Sequence, residues 1–406
     1  MCHRPNTRNH WLQYAAANDW EAGFSRSRWS NDGSGTSRDG LYPFLEEFSG
    51  LRSILICSLS SCYRLHFGLG TVKLRDLKRL DYLKATPMTR VNRPYVGIPT
   101  FLRSRHELRV DAFKAMIAVL GVPFDEGSPF LPGSRMGPRA LREQSLRFAG
   151  RPGFHDIATG RDYLREEVEG GLIADIGDVD VHPTNPERTF AGQTDMVCAA
   201  IAAGAMPVVL GGDHSITFAT VRAFAEPIHI IQFDAHTDYA PITDALRFTN
   251  GHAFRHIAAM SHVIGITQIG IRSLRTSPEQ LADIRRDGHR IATIEHFRTA
   301  GIEKILAHLP TGTRCFVSID VDVLDMPLVP GCVSAEPDGL TYAELRGALK
   351  VISERLDVAG FDLVEINPLL DVPTGATAYL GAHTIIEFLG HICAQPRWVV
   401  RRNGRA

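Results

Sequence analysis

The chain has 406 residues, 44% hydrophobic and 22% charged, and its 44 Lys+Arg against 45 Asp+Glu leave a formal charge of −1. That balance supplies no field for nucleic acid or an anionic membrane, and the length suits one large α/β domain with extras. Seven scattered cysteines without a CxxC pair suit a reducing cytoplasm better than a disulfide framework, and no apolar run reaches transmembrane length.

The opening MCHRPNTRNHWLQYAAANDW has no apolar core behind a basic end, so it does not read as a secretory signal. SRSRWSNDGSGTSRDG follows, with too few apolar residues to order itself. The run LRSILICSLSSCYRLHFGLG lacks clean helical or strand periodicity. Composition changes near residue 88, where MTRVNRPYVGIPTFLR would make a natural beginning. Residues 1–87 are therefore expected to be a poorly ordered extension, with Met88 a candidate initiator, and residues 88–406 to carry the working domain.

From about residue 112 apolar runs alternate with helical patterns. The expected strands are AMIAVLGV, GLIADIGDV, AMPVVLGG, IHIIQFDAH, ITQIGIRS, RCFVSIDVD and AGFDLVEINP. Amphipathic stretches such as QTDMVCAAIAAGA and EQLADIRRDGH separate them. Near-continuous apolar strands between helices predict a three-layer αβα fold around a central, mainly parallel sheet.

Open α/β sheets bind ligands at the carboxyl ends of their strands. Four expected strands finish in groups able to hold metal: His214; Asp234, His236 and Asp238; Asp320, Asp322 and Asp325; and Glu365. In extended chain, residues i, i+2 and i+4 share a face, so Asp234, His236 and Asp238 are expected to converge. A lone His after Gly-Gly is usually a turn residue, and an isolated DxD usually a cap. Two carboxylates and an imidazole on one face, however, would repel without a cation. Asp234, Asp238, Asp320 and Asp322 bring four negative charges, which two divalent ions neutralise. Oxygen-rich ligation with some imidazole favours Mn²⁺ over Zn²⁺.

GGDHS, DAHTD and SIDVDVLD, in this order, resemble the metal motifs of the ureohydrolase (arginase/agmatinase) family. The likeness extends to GVPFDEGSPFLPGSRMGPRALRE, NGHAFRHI and DLVEINP, over roughly residues 95–395. The resemblance implies that His214, Asp234, Asp238 and Asp320 hold one Mn²⁺. It gives the other to His236, Asp234, Asp320 and Asp322, with Asp234 and Asp320 bridging. It also implies a homotrimer or homohexamer. The implied reaction hydrolyses a guanidino group to urea and an amine. Glu365 would bind the guanidinium, Asp238 would also position the attacking water, and His252 of NGH would move a proton to the departing amine.

His256 and His383 read as helix residues, Asp325 and Asp213 as turn-formers, and Arg135, Arg139 and Arg142 as capping a helix at a subunit contact. The text is most like agmatinases, implying agmatine to putrescine and urea. RFTNGH offers Asn250 but lacks the serine of members that bind an α-amino acid. Leu131 in FLPGSR and the loop LDMPLVPGCVSAEPDG also depart from the agmatinase pattern. Guanidinobutyrate or guanidinopropionate hydrolase is the runner-up, ahead of arginase and formimidoylglutamase. Two further readings are a catalytically silent binder of guanidino compounds and a mononuclear zinc deacetylase.

Overall fold

The computed structural model describes residues 64–67, 70–73, 93–109, 114–150 and 153–404. The chain divides into one unit of Arg4–Val91 and another containing Asn92–Ala406. In the first, strands β1 (Arg64–Phe67) and β2 (Gly70–Lys73) form an antiparallel hairpin, with Arg64 opposite Lys73. The aperiodic run had not predicted that hairpin. The rest of the expected extension, and Met88 with it, lies outside the described residues.

The larger unit is built on β3 (Arg105–His106), β4 (Ile117–Val122), β7 (Ile173–Asp178), β8 (Met206–Gly211), β9 (Ile228–Phe233), β10 (Val263–Ile271), β11 (Arg290–Thr293), β12 (Arg314–Asp320) and β13 (Asp357–Val364). Between β4 and β7, β5 (Phe154–Asp156) and β6 (Arg161–Tyr163) make a separate antiparallel pair. Among the described residues, the nine-stranded sheet runs β11-β10-β9-β12-β13-β8-β4-β7-β3, with parallel pairing throughout. Each of the apolar runs expected to be a strand is one. β3 and β11, the two edge strands, were not foreseen.

Alternation within the strands sends side chains to two cores. Met206, Val208 and Leu210 of β8, Ile231 and Phe233 of β9, and Val317 and Ile319 of β12 join one cluster with helices Gly137–Ser145, Tyr342–Arg355 and Ala376–Cys393. Val209, Ile230 and Phe316 join the other, with helices Pro186–Ala202, Ala253–Ala258 and Pro278–Arg286. Each such fully buried side chain contributes about 1.5–3 kcal/mol. Local signals fix the helix starts: Asn185 accepts from the Arg188 N–H, and Ser277/Gln280 and Thr341/Glu344 form capping boxes. The three layers follow because a parallel sheet buries both faces.

The order of strands makes the site. The chain lays down β8, then β9, leaving between them a gap that β12 and β13 later fill. Phe233 stands opposite Ile319, Asp320 opposite Val364, and Leu363 opposite Leu210. The residues just beyond these four strand ends therefore arrive at one level, where such folds bind ligands. Among the described residues no helix is long and apolar enough to cross a membrane.

Candidate metal centre and active site

His214 follows β8 after Gly211 and Gly212. A Cβ at Gly212 would stand 2.0 Å from the Phe124 carbonyl oxygen, so only glycine lets the chain turn there. The turn puts His214 Nδ1 3.0 Å from Asp234 Oδ2, 3.0 Å from Asp238 Oδ2 and 3.2 Å from Asp320 Oδ2. None of these oxygens is placed to accept a hydrogen bond, and the buried Nδ1 has no hydrogen-bond partner. A second focus lies at His236 Nδ1, with Asp322 Oδ2 at 3.0 Å and Asp234 Oδ1 at 3.4 Å. Asp234 thus turns one oxygen to each histidine.

The convergence does not come from extended chain, as the spacing predicted. β9 ends at Phe233, and Asp238 lies at φ 46°. Side chain-to-backbone turns do the work instead: the His236 N–H donates to Asp234 Oδ1 at 2.6 Å, and the Asp322 N–H to Asp320 Oδ1 at 2.9 Å. The Ala235 N–H donates across to Asp322 Oδ1 at 2.9 Å, tying the two loops together. Glu365 also has a left-handed backbone, φ 64°. Such a conformation costs a non-glycine residue about 1–2 kcal/mol, and two of the seven residues that adopt it among the described ones fall at the site.

A further layer orients His214. Its Nε2 lies 2.9 Å from Ser318 Oγ, which donates to Asp362 Oδ1 at 2.6 Å, while Thr217 Oγ1 donates to Asp362 Oδ2 at 2.8 Å. With the proton on Nε2, the Nδ1 lone pair faces the carboxylates. That is the tautomer of a metal ligand.

Electrostatics mark the cluster as incomplete. Burial and the charge of Asp234 push Asp238 up to about 6, and burial with Asp322 and Asp234 raises Asp320. Burial would lower His214, but the carboxylates of Asp234, Asp238 and Asp320 facing its Nδ1 raise it well above its ordinary value. Positive charge is what this set lacks. His214, Asp234 and Asp320, and separately Asp234, His236 and Asp322, each present ligand atoms within 4.8 Å of one another. A third such group, Asp320, Asp322 and Cys332, was missed in the sequence because the cysteine, in the loop that follows the Asp320–Asp322 pair, belongs to no ligand motif. The orphaned Nδ1 and the unneutralised oxygens fit divalent cations.

Beside the cluster lies a cavity of about 300 Å³, lined among others by His236, Asp238, Asn250, Gly251, Arg275 and Asp320. Glu365 and His252 stand behind its wall. Glu365 Oε1 accepts from the His214 N–H at 2.9 Å and from Asn250 Nδ2 at 3.1 Å, while Oε2 is buried without a partner. Burial and the charge of Asp213 push Glu365 up to about 8. His252, 3% exposed, ends the turn Asn250–His252, with Nδ1 2.6 Å from Thr249 Oγ1. Burial lowers its pKa, keeping the imidazole neutral.

The secondary readings divide. Asp325 closes its loop by accepting from the Gly339 N–H at 2.9 Å, and Asp213 accepts from the Ser215 N–H. His256 stacks on Phe248, and His383 packs against Phe148 and Tyr342. Arg142, expected at a subunit contact, is instead buried in a fork with Asp175 and Asp178. Arg135 pairs with Asp125, and the exposed Arg139 with Glu143.

The arginase family model matches residues 115–390. The chain is 30% identical to proclavaminate amidinohydrolase of Streptomyces clavuligerus over 308 residues, 73% of this chain and 93% of that protein. The solved structure of that enzyme superimposes with a TM-score of 0.67, covering 74% of this chain and 98% of its own. Identity is 31% to human mitochondrial guanidino acid hydrolase, across 76% and 85% of the two chains. It is 30% to chicken mitochondrial agmatinase, across 74% and 86%.

Proposed function

The chain belongs to the arginase family and is a hydrolase, and on that premise we propose that it holds two Mn²⁺ ions per subunit and hydrolyses a guanidino compound to urea and an amine. His214, Asp234, Asp238 and Asp320 would hold one ion, and His236, Asp234, Asp320 and Asp322 the other. The observation that carries this reading is Asp234, whose two carboxylate oxygens face the two histidine Nδ1 atoms separately. A single zinc ion, as in a deacetylase, would leave His236 and Asp322 without purpose. A silent binder would need no such set of ligands, and none of the six is missing.

When bound, a pair of such ions lowers the pKa of water so that it attacks at neutral pH. The protein's part is positioning. The Asn250 amide already donates to Glu365 Oε1 from the cavity side, which is the bond a guanidinium N–H would make in its place. A guanidinium also supplies the cation that the buried, half-partnered carboxylate lacks. Water's oxygen bonds to the guanidinium carbon, the C–N bond to the tail breaks, and the departing nitrogen takes a proton. His252, held by Thr249 and neutral, is the group that would carry that proton.

By sequence likeness to agmatinases alone, agmatine would come first among tails, with putrescine as the product amine. Guanidinobutyrate and guanidinopropionate form the second reading, favoured by one specific observation, the arginine lining the cavity. A homotrimer or homohexamer in the cytoplasm completes the proposal by family likeness. The test is urea release from agmatine, guanidinobutyrate, guanidinopropionate and arginine after Mn²⁺ loading. Urea from at least one supports the reading, and urea from none with two Mn²⁺ bound overturns it.

A further inference from the structure

Arg275 is the lone Lys or Arg among the described residues lining the cavity, and the metal centre has no use for it. It lies in the loop between β10 and helix Pro278–Arg286, with its side chain 63% exposed. Nearby Arg272 is different: its guanidinium is consumed by the carbonyl oxygens of Asp322, Glu336 and Pro337. Arg275 has one carboxylate partner, Glu336 Oε1 at 2.9 Å, and the more distant Ser334 carbonyl at 3.4 Å. That same Glu336 oxygen also accepts from Ser273 Oγ at 2.9 Å and faces His236 Nε2 at 3.3 Å. Three donors crowd an oxygen with two lone pairs.

Arg275 also stands 2.6 Å from His236 Nε2. If His236 Nδ1 is a metal ligand, Nε2 carries the hydrogen and becomes a donor. Two N–H groups cannot face each other at that distance. The imidazole would then keep Glu336, and the exposed guanidinium would have its fork of donors free for another acceptor. Outside the metal cluster no carboxylate lines the cavity among the described residues. A cationic tail would therefore meet Arg275 without a compensating partner, whereas a carboxylate tail would find a bidentate one.

We infer that Arg275 receives the anionic tail of the substrate, so that ω-guanidino carboxylic acids are preferred over guanidino amines. The inference rests on the hydrolase reading above and names its substrate class. The experiment compares kcat/KM for guanidinobutyrate, guanidinopropionate and agmatine in the Mn²⁺-loaded full chain, its Arg275→Met variant and its Arg275→Lys variant. Wild type should favour the acids. Arg275→Met should lose about 10–100-fold on the acids, chiefly through KM, with unchanged metal content and no loss on agmatine. Arg275→Lys should recover part of the loss, and added salt should shrink the wild-type preference. Preference of wild type for agmatine, an equal loss on every tail, or loss of metal in Arg275→Met overturns the assignment. If no tail yields urea, the hydrolase reading fails, and calorimetric binding of guanidinobutyrate decides the tail claim alone. Binding at least tenfold weaker in Arg275→Met supports it, and absent or unchanged binding overturns it.

Discussion

His229 and His236 lie at the two ends of one strand and meet opposite fates. His229, near the start of β9, is buried with Thr267 and His308, and burial with the nearby charges of His308, His289 and Arg290 pushes it down to about 3. His236 lies just past the strand's end. Burial would lower it too, but Asp322 and Asp234 push it up to about 12. The same side chain is a neutral core residue at one end and a cation-seeking ligand at the other. Fold position decides this: the amino ends of the strands bring histidines and hydroxyls together, the carboxyl ends four carboxylates.

The largest effect that could break the comparison comes from removing a shared carboxylate. Asp320→Ala should abolish nearly all activity and reduce Mn²⁺ affinity by more than the roughly 10–100-fold typical of outer partners, measured by metal analysis after gel filtration. Full activity with full metal would sink the dinuclear assignment. Next come the groups behind the cavity wall. His252→Asn should keep both ions and near-normal substrate affinity while kcat falls about 10²–10⁴-fold. Glu365→Gln should lose affinity and rate together with metal retained. If His252→Asn chiefly weakened binding, the proton-carrying role would be wrong.

Smaller again, Asp362→Asn disturbs the Ser318 bond that orients His214. It should weaken Mn²⁺ binding by about 10–100-fold, as seen in a metal titration, without changing the order of substrates. The smallest effect belongs to the other end of the strand. The folded chain keeps His229 neutral down to about pH 3, whereas an unfolded histidine takes up a proton below about 6.5. Stability from this group is therefore full at neutral pH and falls as pH drops through that window. The loss is about 2 kcal/mol at pH 5. Chelator-treated His229→Gln should show less acid destabilisation than wild type in melting curves, with metal binding unchanged when Mn²⁺ is restored.

The sheet was legible because apolar runs such as IHIIQF and RCFVSI can be nothing but buried strands. β3 and β11 were not, because edge strands of two and four residues, with Arg105, His106 and Arg290, carry no apolar run. The metal-binding candidates were legible as polar residues directly after those runs. Their geometry was not: Asp238 and Glu365 adopt left-handed backbones that favour glycine, and residue type gave no warning. Arg275, Glu336 and Cys332 reach the site from other loops, through contacts that sequence spacing does not encode.

The central claim is that the carboxyl-end cluster holds a pair of ions through the two faces of Asp234. Anomalous X-ray diffraction at the manganese edge, on crystals of the Mn²⁺-loaded full chain, tests it most directly. The account predicts two peaks per subunit, one against His214 Nδ1 and one against His236 Nδ1, with Asp234 between them. A single peak at either histidine, or none, would contradict it.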